Sequence, residues 1–335
     1  MSRPLKIAIN GLGRIGRAAF KVIDNTPELE VVGINDLIDN ENLAYLLKYD
    51  SVYGRYHHEV DYNDGGLLVN SKSFPVTHLK NPADLPWVEL EVDVVLECTG
   101  VFTKREDLEK HLEAGAKRVI LSAPTKSEEI LTVVHGSSQN DSDDRIISCA
   151  SCTTNCITPV IEIIGRRVGI KKAALTTLHA YTASQSIVDG PNKKLRRGRA
   201  AAVNFVPTST GAAIATTKAL PQYEGKFDGV AVRAPIPVGS LADIVILTER
   251  ATSVEEINNI FREEAASDRY RGVVGVTDEP LVSSDIVQDS RASIIDLEMT
   301  QVVDGDLLKV MSWYDNEWGY VNQMVREAAS WAPKS

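Results

Sequence analysis

The segment that most constrains this chain is its start: the isoleucine-rich run "LKIAIN" (5–10) leads straight into "GLGRIGR", then the helically spaced "AAFKVIDNTPELE", then a second apolar run, "VVGIND". That order predicts a strand, a glycine turn, a helix and a parallel strand, the βαβ unit. Gly11, Gly13 and Gly16, with Arg14 and Ile15 between them, form G-x-G-x-x-G. The first glycine permits the tight turn, the second a close backbone approach to a pyrophosphate, and the third close packing of helix on strand. The helix N-terminus favours the phosphate charge. Asp36 closes the second strand, where a carboxylate accepts hydrogen bonds from an adenosine ribose and repels a 2′-phosphate. The expected cofactor is NAD.

The alternation continues. "VDVVLECTG" reads as a buried parallel strand, "KREDLEKHLEAGA" as a helix closed by Gly115, and "KRVILSAP", "ILTVVHG" and "RIISCAS" as further strands. After Cys152 the texture changes. "TTNCITPVIEIIGRRVG" reads as a helix with Pro159 an irregularity near its start, and long strand-like runs follow, several too closely spaced for helical crossovers. The expected fold is α/β: a Rossmann dinucleotide-binding domain over 1–151, completed by a C-terminal helix at 317–335, and an α+β catalytic domain over 152–316 on a mixed or antiparallel sheet. A length of 335 residues agrees with two domains.

A net charge of −10 argues against nucleic acid as the main partner. No apolar run approaches the roughly 18 residues a membrane span needs. The start enters a strand at once, without a signal segment, so a cytoplasmic protein is expected. One basic run, "KKLRRGR" (193–199), goes against the overall charge and by itself reads as a solvated loop.

Three of the four cysteines fall within "SCASCTTNC" (148–156). Zinc would want paired Cys-x₂-Cys sites or nearby histidines, and the nearest downstream histidine is a lone His179, so no metal is expected. Cys152 follows a strand end and begins a helix, whose N-terminus depresses a thiol's pKa. Cys149 is placed within the strand and Cys156 a helical turn deeper, where thiols are inert. On spacing alone Cys152 is a buried core thiol or a nucleophile with equal warrant. His179 ends "AALTTLHAY", the close of an expected strand; His57, His58, His78, His111 and His135 have no evident partner in the sequence.

Taken together, "INGLGRIGR", "YDSVYGR", "ECTGVF", "ISCASCTTNC", "LHAYTASQ", "VDGPNKKLRRGRAAA", "VPTSTGAA", "VAVRAP" and "SWYDNEWGY" resemble phosphorylating glyceraldehyde-3-phosphate dehydrogenase, in that family's order and nearly end to end. The resemblance implies Cys152 as nucleophile and His179 as its base. It implies cofactor contacts from Gly11, Gly13, Arg14, Ile15, Gly16, Asp36 and Ser122, with Asn316 on the nicotinamide carboxamide. Thr182 and Arg233, with Ser184, match the site for the substrate's own phosphate. Ser151, Thr210 and Gly211, with Arg197 close by, match the site of the attacking phosphate, and Thr153 is a further substrate contact that the resemblance implies. The basic run becomes a loop that reaches a neighbouring subunit's cofactor in a homotetramer. Cys149 stands where the family usually has asparagine, Cys98 where it often has serine, and Ile214 where lysine is common.

The implied reaction is the glycolytic oxidation of glyceraldehyde 3-phosphate to 1,3-bisphosphoglycerate through a cysteine thiohemiacetal and thioester. Two alternatives stand beside it: an erythrose-4-phosphate dehydrogenase of the same fold, released by water, and an NAD-binding thiol redox sensor without turnover.

Overall fold

The computed structural model describes residues 3–138 and 144–332. The chain divides into two compact units, Met1–Val133 with Asn140–Ala150 and Met324–Ser335, and Val134–Gln139 with Ser151–Gln323.

The first unit is built on a nine-stranded sheet. In spatial order its strands are Leu131–Thr132, Ile146–Ser148, Arg118–Leu121, Val94–Glu97, Leu5–Asn10, Leu29–Asn35, Lys72–Thr77, Gly66–Val69 and Val60–Asn63. Pairing is parallel as far as Lys72–Thr77 and antiparallel beyond it. Val94–Glu97 is buried along its whole length, as a parallel strand covered on both faces must be. Leu5–Asn10 pairs with Leu29–Asn35 on one side and Val94–Glu97 on the other, so the strand order reverses beside it. Such a switch point opens a crevice at the carboxyl ends of the strands, where open α/β sheets bind ligands. The antiparallel extension was not foreseen, because its short strands lack a sustained apolar alternation.

The second unit carries a seven-stranded mixed sheet: Val206–Ser209, Phe227–Ala234, Ile170–Ala180, Ser240–Thr248, Leu307–Tyr314, Ser293–Val303 and Val274–Thr277. Ser240–Thr248 alternates buried and half-exposed at every residue, the signature of a sheet with one covered face. The covered face packs against the helix Cys152–Arg167, whose Cys156, Ile157, Val160, Ile161 and Ile164 join Ile244, Ile246, Leu308 and Val310 in one apolar core.

Local departures from the sequence reading have simple causes. "ILTVVHG" and "RIISCAS" shrink to Leu131–Thr132 and Ile146–Ser148, so Cys149 lies just past its strand. Pro159 sits mid-helix in Cys152–Arg167, not near its start, and the buried apolar face carries the helix through it. Residues 134–138 belong with the second unit, where Arg269 donates to the carbonyls of Gly136 and Ser137. The closing helix is Trp318–Ser330, and the division falls within it: Gln323 donates to the Ser290 carbonyl of the second unit. Of the helix expected over 317–335, residues 333–335 lie outside the described residues. Among the described residues, no helix is long and apolar enough to cross a membrane.

Candidate active site

The glycine turn of the first unit shows why each glycine is there. Gly11 has φ +92°, and a Cβ on it would lie 2.8 Å from the Thr99 nitrogen; a Cβ on Gly16 would meet the Gly11 carbonyl oxygen at 2.0 Å. A Cβ on Gly13, by contrast, would have nothing within 4 Å. Gly13 is the N-cap of the helix Arg14–Ile23, so an exposed backbone edge stands at a helix N-terminus with space before it. This is a cradle that fits a pyrophosphate.

Beside it lies a cavity of about 440 Å³ lined by Asn10, Gly11, Gly13, Asp36, Leu37, Leu79, Thr99 and Phe102, among others. The Asp36 carboxylate accepts from the backbone N–H of Leu12 (2.7 Å) and of Ile38 (3.0 Å), which pins it beside the glycine turn with lone pairs to spare. Arg14, Ile15, Gly16 and Ser122 do not line this cavity. The Arg14 guanidinium is turned to Asp50 at 2.6 Å, so only its main chain is at the turn. Ser122 donates from its N–H to the Glu97 carbonyl, and its side chain hydrogen-bonds Cys98, a lining residue.

In the second unit Cys152 is the first residue of its helix, and the Ser151 hydroxyl caps it by accepting from Thr154 N–H at 3.2 Å. His179 is the penultimate residue of Ile170–Ala180 and is directly paired with Arg233 of the parallel neighbour strand. This register brings three side chains together: Cys152 Sγ is 3.3 Å from His179 Nε2, and Arg233 Nη1 is 2.6 Å from His179 Nδ1. The Ala180 carbonyl lies 2.7 Å from both Nδ1 and Arg233 Nη1. The carbonyl asks Nδ1 for a proton and the guanidinium asks it for a lone pair. With the proton on Nδ1, the Nε2 lone pair faces the sulfur.

Burial, and then Arg233, push His179 down to about 3, so the imidazole is neutral at physiological pH. Burial also holds the Cys152 thiol above its ordinary value, against the Arg233 charge and hydrogen bonds from Thr153. The sequence reading expected the helix N-terminus to depress this thiol. Desolvation outweighs it, because the helix end carries only about half an elementary charge. The resting pair is therefore a thiol beside a neutral imidazole.

The other three cysteines are also free. Burial pushes Cys98 and Cys156 up to about 12 and Cys149 well above its ordinary value. Cys156 is fully buried against Ser312 and Ser293.

The hydroxyl and cationic groups expected to hold anions lie in the same unit, and the Arg197 charge is felt at His179. Thr182 and Ser184 hydroxyls are 3.0 Å apart, and Arg197 donates to Ser184 (3.3 Å) and to Thr208 (3.0 Å). Thr210 accepts from the Ala212 N–H, and Gly211 is the open N-cap of the helix Ala212–Ala219. Thr153 is different. Its hydroxyl is buried against that of Tyr314 (2.9 Å), which also meets Thr177 (2.8 Å), so it braces the helix start and only its main chain is left for a ligand. Asn316 is buried, and its Oδ1 accepts from the Ser240 hydroxyl, which itself accepts from Ala180 N–H. Its amide N–H groups remain the donors it can offer.

The chain matches the NAD binding domain of glyceraldehyde 3-phosphate dehydrogenase over residues 5–105 and that protein's C-terminal domain over 151–316. The chain belongs to the glyceraldehyde 3-phosphate dehydrogenase family. It is 47% identical over 333 residues to the glyceraldehyde-3-phosphate dehydrogenase of Geobacillus stearothermophilus, covering 98% of this chain and 99% of that one. The glyceraldehyde-3-phosphate dehydrogenase 1 of Bacillus subtilis is similar to the same extent, and that of Haloarcula vallismortis is 44% identical over 97% of each chain. NAD is the family's cofactor, and the cradle of the first unit fits it.

Two features of the site were missed in the sequence. One is Tyr314, whose hydroxyl ties Thr153 to Thr177. The other is His111, set aside for want of a partner: it is fully buried and bonded to Trp87 and Glu97. Only a fold could pair residues so far apart.

Proposed function

We propose that this chain catalyses the NAD-dependent phosphorylating oxidation of D-glyceraldehyde 3-phosphate to 1,3-bisphosphoglycerate. The observation that carries the reading is the Cys152 Sγ–His179 Nε2 contact of 3.3 Å with Arg233 against the far side of the imidazole. Arg233 gives a phosphorylated substrate a bidentate anchor that lysine could not reproduce. An anion there also competes for the guanidinium, which favours the proton on Nδ1 and frees Nε2.

Nε2 then takes the thiol proton, and sulfur attacks the aldehyde carbon. The alkoxide recovers that proton to give the thiohemiacetal, and its hydroxyl proton returns to Nε2 as the carbon loses hydride. Bound NAD supplies the acceptor for those two electrons. The Cys152 backbone N–H at the helix start can steady the oxygen throughout. Inorganic phosphate, held by Ser151, Thr210 and Gly211 with Arg197, displaces the thiolate from the thioester and leaves as acyl phosphate.

We further propose a homotetramer. The loop bearing the basic run exposes Val188 (72%), Leu195 (85%) and Phe205 (70%), and the open sheet face exposes Val230 (52%). Apolar groups of this size on adjoining segments fit a partner surface. Light scattering at working concentration is expected to give four subunits; a monomer would contradict it.

NADH production from glyceraldehyde 3-phosphate tests the reaction. Turnover that requires inorganic phosphate is expected. Sustained turnover without phosphate, or preference for erythrose 4-phosphate, would favour the hydrolytic relative; thiol oxidation without any turnover would favour the sensor.

A further inference from the structure

Beneath the nucleotide cradle of the first unit runs a buried polar chain that the chemistry above leaves unused. Glu97 is fully buried at the end of Val94–Glu97. Its Oε1 accepts from the N–H of Thr99 (2.8 Å) and from the Thr99 hydroxyl. Its Oε2 accepts from Asn10 Nδ2 (2.5 Å) and contacts His111 Nε2 (3.2 Å). On its other side the His111 ring accepts at Nδ1 from the Trp87 indole N–H at 3.1 Å. Trp87 can only donate, so Nδ1 carries the lone pair and Nε2 the proton. The direction of every bond is thereby fixed, from Trp87 through His111 to Glu97.

The far end of the chain is the cavity wall. Asn10 and Thr99 both line the 440 Å³ cavity. Asn10 is held by Glu97 at its nitrogen and by Asn35 Nδ2 at its oxygen (2.8 Å), and Asn35 in turn bonds Thr77 and both backbone groups of Leu79. Leu79 and Asn35 are lining residues too. Four wall residues therefore take their orientation, directly or through one or two partners, from a single carboxylate. A fully satisfied network of this kind is rigid, and a half-satisfied one is worse than none.

We propose that Glu97 and His111 are positioning residues for the nucleotide, orienting Asn10 and Thr99 for it and linking occupancy of the cavity to the Trp87 indole. This rests on the reading of the cavity as the NAD site. Glu97→Gln keeps the shape but adds two N–H donors. Facing His111, the new amide calls for a proton on Nδ1, which would then oppose the Trp87 N–H; facing Thr99, it meets a donor instead. Either orientation sets donor against donor at the cavity wall, at Asn10 when the amide faces His111 and at Thr99 otherwise, and the first also reaches Trp87.

Calorimetric NAD titration and fluorine NMR of 5-fluorotryptophan-labelled full-length protein, with Trp87 assigned by Trp87→Phe, test this. In the wild type, saturating NAD should shift the Trp87 resonance, a measurement that needs no folded variant. Glu97→Gln should weaken NAD binding roughly tenfold or more, the scale of a lost hydrogen bond to a charged group. Its Cys152 alkylation rate should be unchanged. Adding Trp87→Phe removes the opposing N–H, so the double variant should lose less NAD affinity than the two single variants' losses combined. A merely structural role predicts losses that add or compound. An unmoved Trp87 resonance, or losses that add in full, overturns the positioning role while NAD binding stands. Failure of the wild type to bind NAD would overturn both readings.

Discussion

A helix N-terminus stands at each of this molecule's two candidate sites, and the two are built in opposite ways. At Gly13 the backbone is open: the N-cap makes no side-chain cap bond, and a Cβ there would touch nothing. At Cys152 the helix end is closed by the Ser151 hydroxyl and filled by a sulfur held against an imidazole. The same partial charge serves a ligand's phosphate in the first case and a side chain in the second. The difference teaches that the dipole alone decides little. Where the backbone is exposed it suits an anion from solvent, and where the sulfur is buried desolvation wins and the thiol stays protonated until a partner acts on it.

Exchanging the reacting atom breaks the comparison most sharply. Cys152→Ser should lower oxidation by at least about a thousandfold, because a hydroxyl beside a neutral imidazole is a far weaker nucleophile. NAD affinity, measured by calorimetry, should be unchanged.

Next come the two glycines that the motif treats alike. Gly16→Ala places a methyl 2.0 Å from the Gly11 carbonyl and should destabilise the fold by about 1–3 kcal/mol in denaturant titration. Gly13→Ala should leave that titration unmoved while weakening NAD binding, since its methyl enters only ligand space. Equal effects would erase the distinction.

The acid limb of stability sharpens the electrostatic half. His179 titrates near 6.5 in an unfolded chain and at about 3 in the fold, so between those values the unfolded chain binds the extra proton. Its contribution is whole above pH 6.5 and is lost as pH falls toward 3. His179→Gln should flatten this limb relative to wild type in unfolding midpoints taken across that window.

The smallest effect is at the closed helix end. Ser151→Ala removes the cap and should cost about 1 kcal/mol of stability, read in thermal melts.

The two regions also differed in how far the sequence disclosed them. The glycine turn is local: strand, turn, helix and Asp36 all lie within a few dozen residues, so periodicity and motif sufficed. The thiol site joins Cys152, His179 and Arg233 from separate strands and a helix. Only the resemblance to a family proposed that grouping, and only the parallel register of His179 with Arg233 explains it. That the Thr153 hydroxyl is taken up by Tyr314 was hidden, because no sequence pattern reveals Tyr314 beside it. The raised thiol pKa was missed for the same reason, since burial belongs to the fold. His111 and Glu97 looked unremarkable because each gains its partner only when two parallel-sheet segments and a helix close over them.

Trapping the acyl-enzyme tests the central claim most directly. Mixing the NAD-loaded protein with glyceraldehyde 3-phosphate in phosphate-free buffer, quenching in acid and mapping peptides by mass should place a glyceroyl phosphate adduct on Cys152, discharged when phosphate is added before the quench. An adduct on Cys98, Cys149 or Cys156, or a burst of NADH with no adduct on any cysteine, would contradict it.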